Sequence, residues 1–409
     1  MYERIQQLPV DTRKGHDAIF DGSYLNDIPA ALKEWEATRV LLVVSTTLDT
    51  KSEVIKDLEA RLAELAYVDK KVGVGSHSPY ADTIDIARRV QQNSIDAVVC
   101  IGSGSYSDSC KTAVILSATL PLGFSYEDME SLVDQKRGLA GPENLKSPTT
   151  KLICVPTSLS SGEWNHYASG TNSKGKKQHF VQEDGAPTLI ICDPRVAATI
   201  PRDLWLASGM RAVDHFVETM CSPKFTHEAT PYVKSGLGNL LKGLVEYCEN
   251  KSDDPSSEGL LQGISDCQRG SRLALFAWIF MKVAFGTSHA LGHQLGSYAG
   301  VQHGITSCIL LPPVLGYTET HTDVKIRQGS HAEVLAIFNE TLKWNEKSAS
   351  DAVTRLVGLL GLPSRLHEVG VTGDEQIQRI AELATTDVLG EYGILPPLEG
   401  IKTILDTVR

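Results

Sequence analysis

Five short runs of aliphatic and β-branched residues in the first half of this chain, separated by stretches of helical periodicity, restrict it to parallel strands joined by helices. The clearest is residues 39–44, Arg-Val-Leu-Leu-Val-Val, and the others are residues 70–74, 97–101, 151–155 and 189–192. Intervening patterns such as residues 83–93 suit amphipathic helices, and the series has the style of a nucleotide-binding sheet. From Pro201 onward the pattern changes to long helical stretches, among them residues 266–285 and 351–360. Pro201 and the short turn before Leu204 therefore mark a predicted boundary between an α/β domain over residues 1–200 and a helical domain over residues 201–409, with no internal repeat.

The 409 residues are enough for two domains with full cores, and 42% hydrophobic and 22% charged residues match an ordinary globular chain. A formal net charge of -11 opposes a phosphate backbone, which sets nucleic-acid binding aside. The first residues, Met1 to Gln7, lack the apolar core of a signal peptide, so a cytoplasmic location is expected. No uninterrupted apolar run is long enough to cross a membrane. The eight cysteines are scattered without a CxxC pair and read as reduced core residues. A homodimer is the expected assembly for an enzyme of this size, with a small molecule as its only other partner.

After the run ending at Ile101 comes Gly102-Ser103-Gly104-Ser105-Tyr106-Ser107-Asp108-Ser109-Cys110-Lys111, leading into an apolar helix. Gly102 and Gly104 allow the backbone close to a pyrophosphate, and the helix, predicted to begin near Ser107, directs its free N–H groups and positive dipole end at that anion. The pattern is not GxGxxG, and a Gly-Ser-Gly turn is also an ordinary tight connection, as Asp108 is also an ordinary charge at a helix start. A second loop directly after a strand, Pro156-Thr157-Ser158-Leu159-Ser160-Ser161-Gly162-Glu163-Trp164, offers hydroxyls for ribose and phosphate oxygens, or is a serine-rich surface turn. Two such loops in one sheet favour the nucleotide reading. Ser45-Thr46-Thr47 closes the first strand where NAD-selective folds often place an acid against the ribose, so NADP is favoured slightly over NAD.

The most specific chemical signal lies in the second half. His289 and His293 are four residues apart and share a helix face, while His303 follows beyond Gly296 and Gly300 in a segment able to fold back. An earlier segment, Ser208-Gly209-Met210-Arg211-Ala212-Val213-Asp214-His215, adds His215 on another helix. A single histidine is more often a packed or capping residue than a ligand; four in this arrangement point to a site.

These segments resemble the iron-containing alcohol dehydrogenases, a group with glycerol dehydrogenases, maleylacetate reductases and the more distant dehydroquinate synthases. The resemblance spans the chain from the first strand to at least Pro312. It implies a dehydroquinate synthase-like fold, with an α/β nucleotide-binding domain followed by an all-α domain. It also implies that Gly102, Gly104, Ser105, Asp108 and Lys111 form a pyrophosphate loop; Ser103 within that loop, Thr157, Ser158 and Ser161 in the second loop, and Ser45 at the end of the first strand are the further candidate cofactor contacts by position. Glu163 and Trp164 stand where the family has Ser and Glu, so the second loop matches only partly. The family's metal ligands are an Asp, a His four residues on, and two further histidines. His215, His289 and His303 fall on the three histidines, and His293 on the histidine beside the substrate. The aspartate position is Arg211.

That replacement removes an anionic ligand and puts a cation in its place, an unfavourable exchange for any divalent ion. Three neutral imidazoles alone can hold zinc, so iron or zinc on His215, His289 and His303 is an alternative reading. Asp214 is not expected to substitute, being about 100° from His215 around the helix. Maleylacetate reductases, which resemble the family and work without metal, offer the favoured precedent. In such a site Arg211 polarises a carbonyl or clamps a substrate carboxylate, and His289, His293 or His303 supplies a proton. The bland alternative turns Arg211 outward to pair with Asp214 or Glu218. The sequence thus predicts a metal-independent NAD(P)H reductase of a small carbonyl compound; a metal-dependent dehydrogenase, or a lyase or cyclising enzyme on the same fold, are the other readings.

Overall fold

The computed structural model describes residues 1–250, 254–387, 389 and 394–409, and the chain divides into two compact units, Met1–Ile200 and Pro201–Arg409. Each is described by itself.

The first unit is built on a seven-stranded sheet and a smaller three-stranded one. In chain order the strands are β1 (Glu3–Gln6), β2 (Asp17–Phe20), β3 (Arg39–Val44), β4 (Tyr67–Val72), β5 (Ala97–Gly102), β6 (Leu139–Ala140), β7 (Lys151–Pro156), β8 (Tyr167–Thr171), β9 (Lys177–Val181) and β10 (Leu189–Cys192). The large sheet runs β1-β2-β10-β7-β5-β3-β4, parallel throughout except for the β1–β2 pair. Its central strands β5, β7 and β3 are apolar on both faces because helices cover both, and two separate sets of buried side chains line those faces. The helix Tyr80–Gln92 begins three residues before the predicted segment. The small sheet, β6-β9-β8, carries the antiparallel pair β8–β9.

The second unit is helical among its described residues. The helix Arg202–Cys221 opens it, and Thr230–Glu249 and Glu258–Ser271 pack with backbones in near contact. A Cβ at Gly243 would lie 2.5 Å from the Cys267 nitrogen, and one at Gly270 equally close to that of Leu240, so this pair of helices depends on its glycines. The single helix expected over residues 266–285 is broken. It stops at Ser271, and a short helix, Phe276–Met281, ends at Lys282 with a left-handed φ of 57°. Thr287–Ala299 and His303–Thr320 follow, separated by a turn at Gly300 whose φ of 69° suits glycine. No described helix is long and apolar enough to cross a membrane.

Candidate active site

In the first unit the two glycine- and serine-rich loops lie side by side at the carboxyl ends of β5 and β7, where open parallel sheets bind ligands. Thr157 N donates to Gly102 O at 3.1 Å, and a Cβ on Gly162 would lie 3.8 Å from the Gly104 Cα. Gly102 cannot be replaced without displacing the Tyr106 ring, which a Cβ would approach within 2.4 Å. The helix following β5 starts at Gly104, three residues earlier than predicted, with Ser103 as its N-cap in extended conformation. Its first amides therefore belong to the Gly-Ser-Gly turn itself, and the cradle fits a pyrophosphate.

The side chains singled out around that turn divide into two groups. Ser45, Ser103 and Ser158 are half-buried at the loop mouths, and Ser158 Oγ lies 3.2 Å from Ser160 Oγ. Ser105, Asp108, Lys111 and Ser161 hold the loops in shape. Ser105 Oγ accepts from His77 N, and Asp108 Oδ2 accepts from Ser169 N at 3.1 Å. Lys111 is fully buried, and its ammonium donates to Gly162 O at 2.6 Å and to Tyr167 O while pairing with Asp108 at 3.0 Å. An ammonium so engaged has no donor left for a phosphate, which corrects the expectation of a direct cofactor contact. Ser161 is buried in the left-handed region, φ 65°, with its hydroxyl on Leu159 O. Thr157 is likewise buried.

Glu163, the residue at odds with the family's loop, is buried under this cradle, and burial pushes its carboxyl up to about 7 against the pull of Lys111. The folded value lies above the unfolded one, so Glu163 lowers stability progressively as pH rises from about 4.5 to 7. Glu163→Gln is expected to be more stable than the parent chain at pH 8, with the advantage about 2 kcal/mol smaller at pH 5. Denaturant unfolding of both chains at the two pH values checks this, and an advantage independent of pH would show that the carboxyl stays ionised throughout.

In the second unit, the helix Arg202–Cys221 aligns Arg211, Asp214 and Glu218 at three- and four-residue spacings, and Thr287–Ala299 lies opposite them. Glu218 is the junction. Its carboxylate accepts the backbone N–H groups of Gly286 at 2.9 Å, Ser288 at 2.6 Å and His289 at 3.1 Å, and His289 Nδ1 lies 2.6 Å from its Oε2. A buried carboxylate thus caps a helix start and fixes the imidazole on it, leaving His289 Nε2 to face the pocket. Burial and the neighbouring Asp214 raise the Glu218 carboxyl above its usual range, and the three amides oppose them.

Asp214 also joins this network. Its Oδ2 accepts from Ser307 Oγ at 2.5 Å and Ser288 Oγ at 3.2 Å, and lies 3.5 Å from His289 Nδ1. The 100° rotation from His215 is real, but it turns Asp214 toward the Thr287–Ala299 and His303–Thr320 helices. Arg211 pairs with it at 3.4 Å and donates to Ser307 Oγ at 3.2 Å, with its side chain only 12% exposed. The pairing foreseen with Asp214 therefore occurs, but facing inward. Among the described residues, Arg211 Nε and Nη2 have no acceptor, so two arms of the guanidinium are open to a ligand.

Two of the histidines meet across their helices. The His215 and His289 ring centroids are 5.1 Å apart, and Phe285 stacks on both, at 5.0 Å and 4.1 Å. Burial first, then Arg211 and His303, holds His215 well below the usual imidazole range, and burial with Arg211 and the other three histidines does the same to His289. His303, half-buried, opens its helix. His293 is the accessible member, 41% exposed, with Nδ1 3.0 Å from Asp387 Oδ2. Asp387 was not singled out in the sequence; it sits 94 positions away with no motif around it. Asp214 Oδ1, His215 Nδ1 and His289 Nε2 are buried with no partner among the described residues.

Two donor sets are candidates for a cation. Asp214, Glu218 and His289 bring ligand atoms within 4.8 Å of one another, but those of Glu218 and His289 already face each other or backbone amides. His215, His289 and His303 are the family's own set, but the Arg211 guanidinium acts on two of them where a carboxylate would neutralise the ion. Neither set fits a divalent ion well.

A parallel sheet with paired glycine loops and a helical unit with a buried imidazole cluster are the two parts of a dehydrogenase-type oxidoreductase. Residues 16–194 match the model of iron-containing alcohol dehydrogenase, and residues 205–405 that of the Fe-containing alcohol dehydrogenase family, C-terminal. The chain belongs to the iron-containing alcohol dehydrogenase family. It is 29% identical over 374 residues to dehydrogenase ALT3 of Alternaria alternata, covering 84% of this chain and 92% of that one. Its fold is that of 1,3-propanediol oxidoreductase, with a TM-score of 0.77 at 22% identity over 95% of this chain and 97% of the other. The maleylacetate reductase of Agrobacterium tumefaciens has the same fold, with a TM-score of 0.70 at 18% identity over 96% and 95% of the two chains.

Proposed function

We propose that this protein is a metal-independent NAD(P)H reductase of a carbonyl compound, in which the buried cation of Arg211 takes the electrostatic role of a metal ion. The observation that carries this reading is the Arg211 side chain, paired with Asp214, hydrogen-bonded to Ser307 and turned into the histidine pocket with two donor arms open. When bound, a reduced nicotinamide would supply hydride to the carbonyl carbon, and the oxygen would take a proton to give the alcohol. Arg211 holds that oxygen and stabilises the negative charge it gains; a substrate carboxylate would bind the same fork. His293 delivers the proton from Nε2, because Asp387 holds its Nδ1 and its side chain is 41% exposed where His215 and His289 are buried. His215 and His289, kept neutral by burial and by Arg211, bound the carbonyl site. The Gly102–Gly104 turn with Ser103 and Ser158 holds the cofactor, and the absence of an acid at Ser45-Thr46-Thr47 favours NADPH.

The test is elemental analysis of the purified protein together with aldehyde-dependent NADPH oxidation before and after dialysis against a chelator. Substoichiometric metal and unchanged turnover are expected. One ion per chain with chelator-sensitive turnover would establish the metal-dependent reading, for which the unpartnered His215 Nδ1 and His289 Nε2 are the argument.

A further inference from the structure

Arg211 uses its guanidinium unevenly. Both of its hydrogen bonds leave from Nη1, to Asp214 Oδ2 at 3.4 Å and to Ser307 Oγ at 3.2 Å. The remaining atoms, Nε and Nη2, share the edge from which two N–H bonds project in parallel, a fork that matches a pair of oxygens. Neither atom is sealed off, although the side chain as a whole is largely buried. The guanidinium also lies against the turn of helix that carries His293: a Cβ on Gly292 would come within 3.8 Å of Arg211 Nη1. This cation is short of counter-charge. Burial outweighs the pull of Asp214 and Glu218 and holds the guanidinium below its usual range. Asp214 makes one long contact with it, while Ser307 Oγ holds the same carboxylate oxygen at 2.5 Å. His215 and His289, kept neutral, supply no anion.

The geometry points to a 2-oxo acid as the ligand of this fork, with its keto oxygen and the neighbouring carboxylate oxygen side by side on Nε and Nη2 of Arg211. This rests on the reductase reading and narrows its carbonyl compound to one class. A simple aldehyde brings a single oxygen and leaves one donor of the pocket without an acceptor. A carboxylate further along the chain fills the fork but takes the keto oxygen away from it. The adjacent arrangement serves both arms, one of them with a full negative charge. In the reaction C2 gains the hydride that a bound reduced nicotinamide would supply, the π pair of the C=O bond moves to oxygen, and that oxygen takes the proton of His293 Nε2. The products are the 2-hydroxy acid and oxidised nicotinamide, and the carboxylate stays unchanged on Arg211.

The experiment is NADPH oxidation by the full chain with 2-oxobutanoate, its methyl ester and 4-oxopentanoate, beside calorimetric binding of 2-hydroxybutanoate and butan-2-ol. It is run on the parent chain, Arg211→Lys and Arg211→Ala at a temperature where all three are folded. The parent is expected to favour 2-oxobutanoate over the other two by about a hundredfold in kcat/KM, and to bind 2-hydroxybutanoate about a hundredfold more tightly than butan-2-ol. The ester carbonyl is intrinsically the more electrophilic, so a preference for the acid reports the site. Arg211→Lys replaces the fork by a single ammonium and is expected to keep about a tenth of each ratio, and Arg211→Ala none. Turnover of the ester or of 4-oxopentanoate as good as that of 2-oxobutanoate, or a binding ratio that Arg211→Lys leaves unchanged, overturns the 2-oxo acid while the reductase reading stands. Arg211-dependent binding of 2-hydroxybutanoate without turnover of any carbonyl compound upholds the fork and its ligand and removes the reductase reading.

Discussion

Arg211→Ala is expected to lower kcat by about a hundred- to a thousandfold, the loss that follows removal of a preorganised donor to a developing oxyanion. The same change strips Asp214 of its cation inside the unit and leaves a buried carboxylate with only the Ser288 and Ser307 hydroxyls. Breaking a buried pair in this way costs about 3–5 kcal/mol of stability, so activity is to be read at a temperature where circular dichroism shows both chains folded. Arg211→Asp is the sharper variant. It restores a carboxylate four residues before His215 and beside Asp214, and two like charges at that spacing need a cation between them. Purified Arg211→Asp is expected to retain one divalent ion per chain where the parent retains less, by elemental analysis. Equal metal content in the two chains would mean that Arg211 does not govern metal binding.

Glu218→Ala is expected to be strongly destabilising, on the scale of the Arg211→Ala loss. It removes one group that satisfies three backbone amides and an imidazole nitrogen, all buried except the half-buried Gly286 amide. Each orphaned buried donor costs about 1–3 kcal/mol, partly relieved by local rearrangement, so a loss of about 4 kcal/mol is reasonable. The released His289 ring also loses its orientation. Glu218→Gln keeps a carbonyl oxygen to cap the amides but sets an NH2 against donors, and should fall between the two. Denaturant unfolding of the three chains measures the order, and a Gln variant as weak as the Ala variant would mean that charge, not acceptance, is what the amides require.

The parts of this architecture that were legible in the sequence are those whose signal is local. Residues 39–44, 97–101 and 189–192 read as strands because interior parallel strands are apolar on both faces, and no polar neighbour interrupts them. The β1 and β2 strands were not foreseen, because four residues of mixed polarity carry no period and their pairing joins sequence-distant segments, Asp17 lying opposite Leu189. The small β6-β9-β8 sheet was missed for the same reason, although its Tyr167–Thr171 strand alternates between buried and half-buried residues. The expected helix over residues 266–285 is broken at Arg272, and the chain turns before the short helix Phe276–Met281, a break for which the apolar pattern carries no signal.

The site divides in the same way. The histidine cluster follows from spacing, since residues four apart share a helix face. The partners that orient it do not, because Glu218 and Asp387 reach His289 and His293 from 71 and 94 positions away. The one available signal for Glu218 was its four-residue step from Asp214, which places both acids on one stripe of the helix. Asp214 stands about 100° from His215, as its position one residue earlier requires, and on the stripe it shares with Arg211 and Glu218.

The large sheet has two open edges, and both are defended by charge. On β4, Lys70 is paired with Asp49 and Glu59, Lys71 with Asp82, and Asp69 with Arg89. On β1, Arg4 is paired with Asp17 and Glu34. A strand from another molecule that docked on either edge would meet this charge alongside its ladder bonds. This chain is therefore poorly suited to grow by strand addition, and concentrated solutions should resist the cross-β aggregation to which its long apolar interior strands would otherwise incline it.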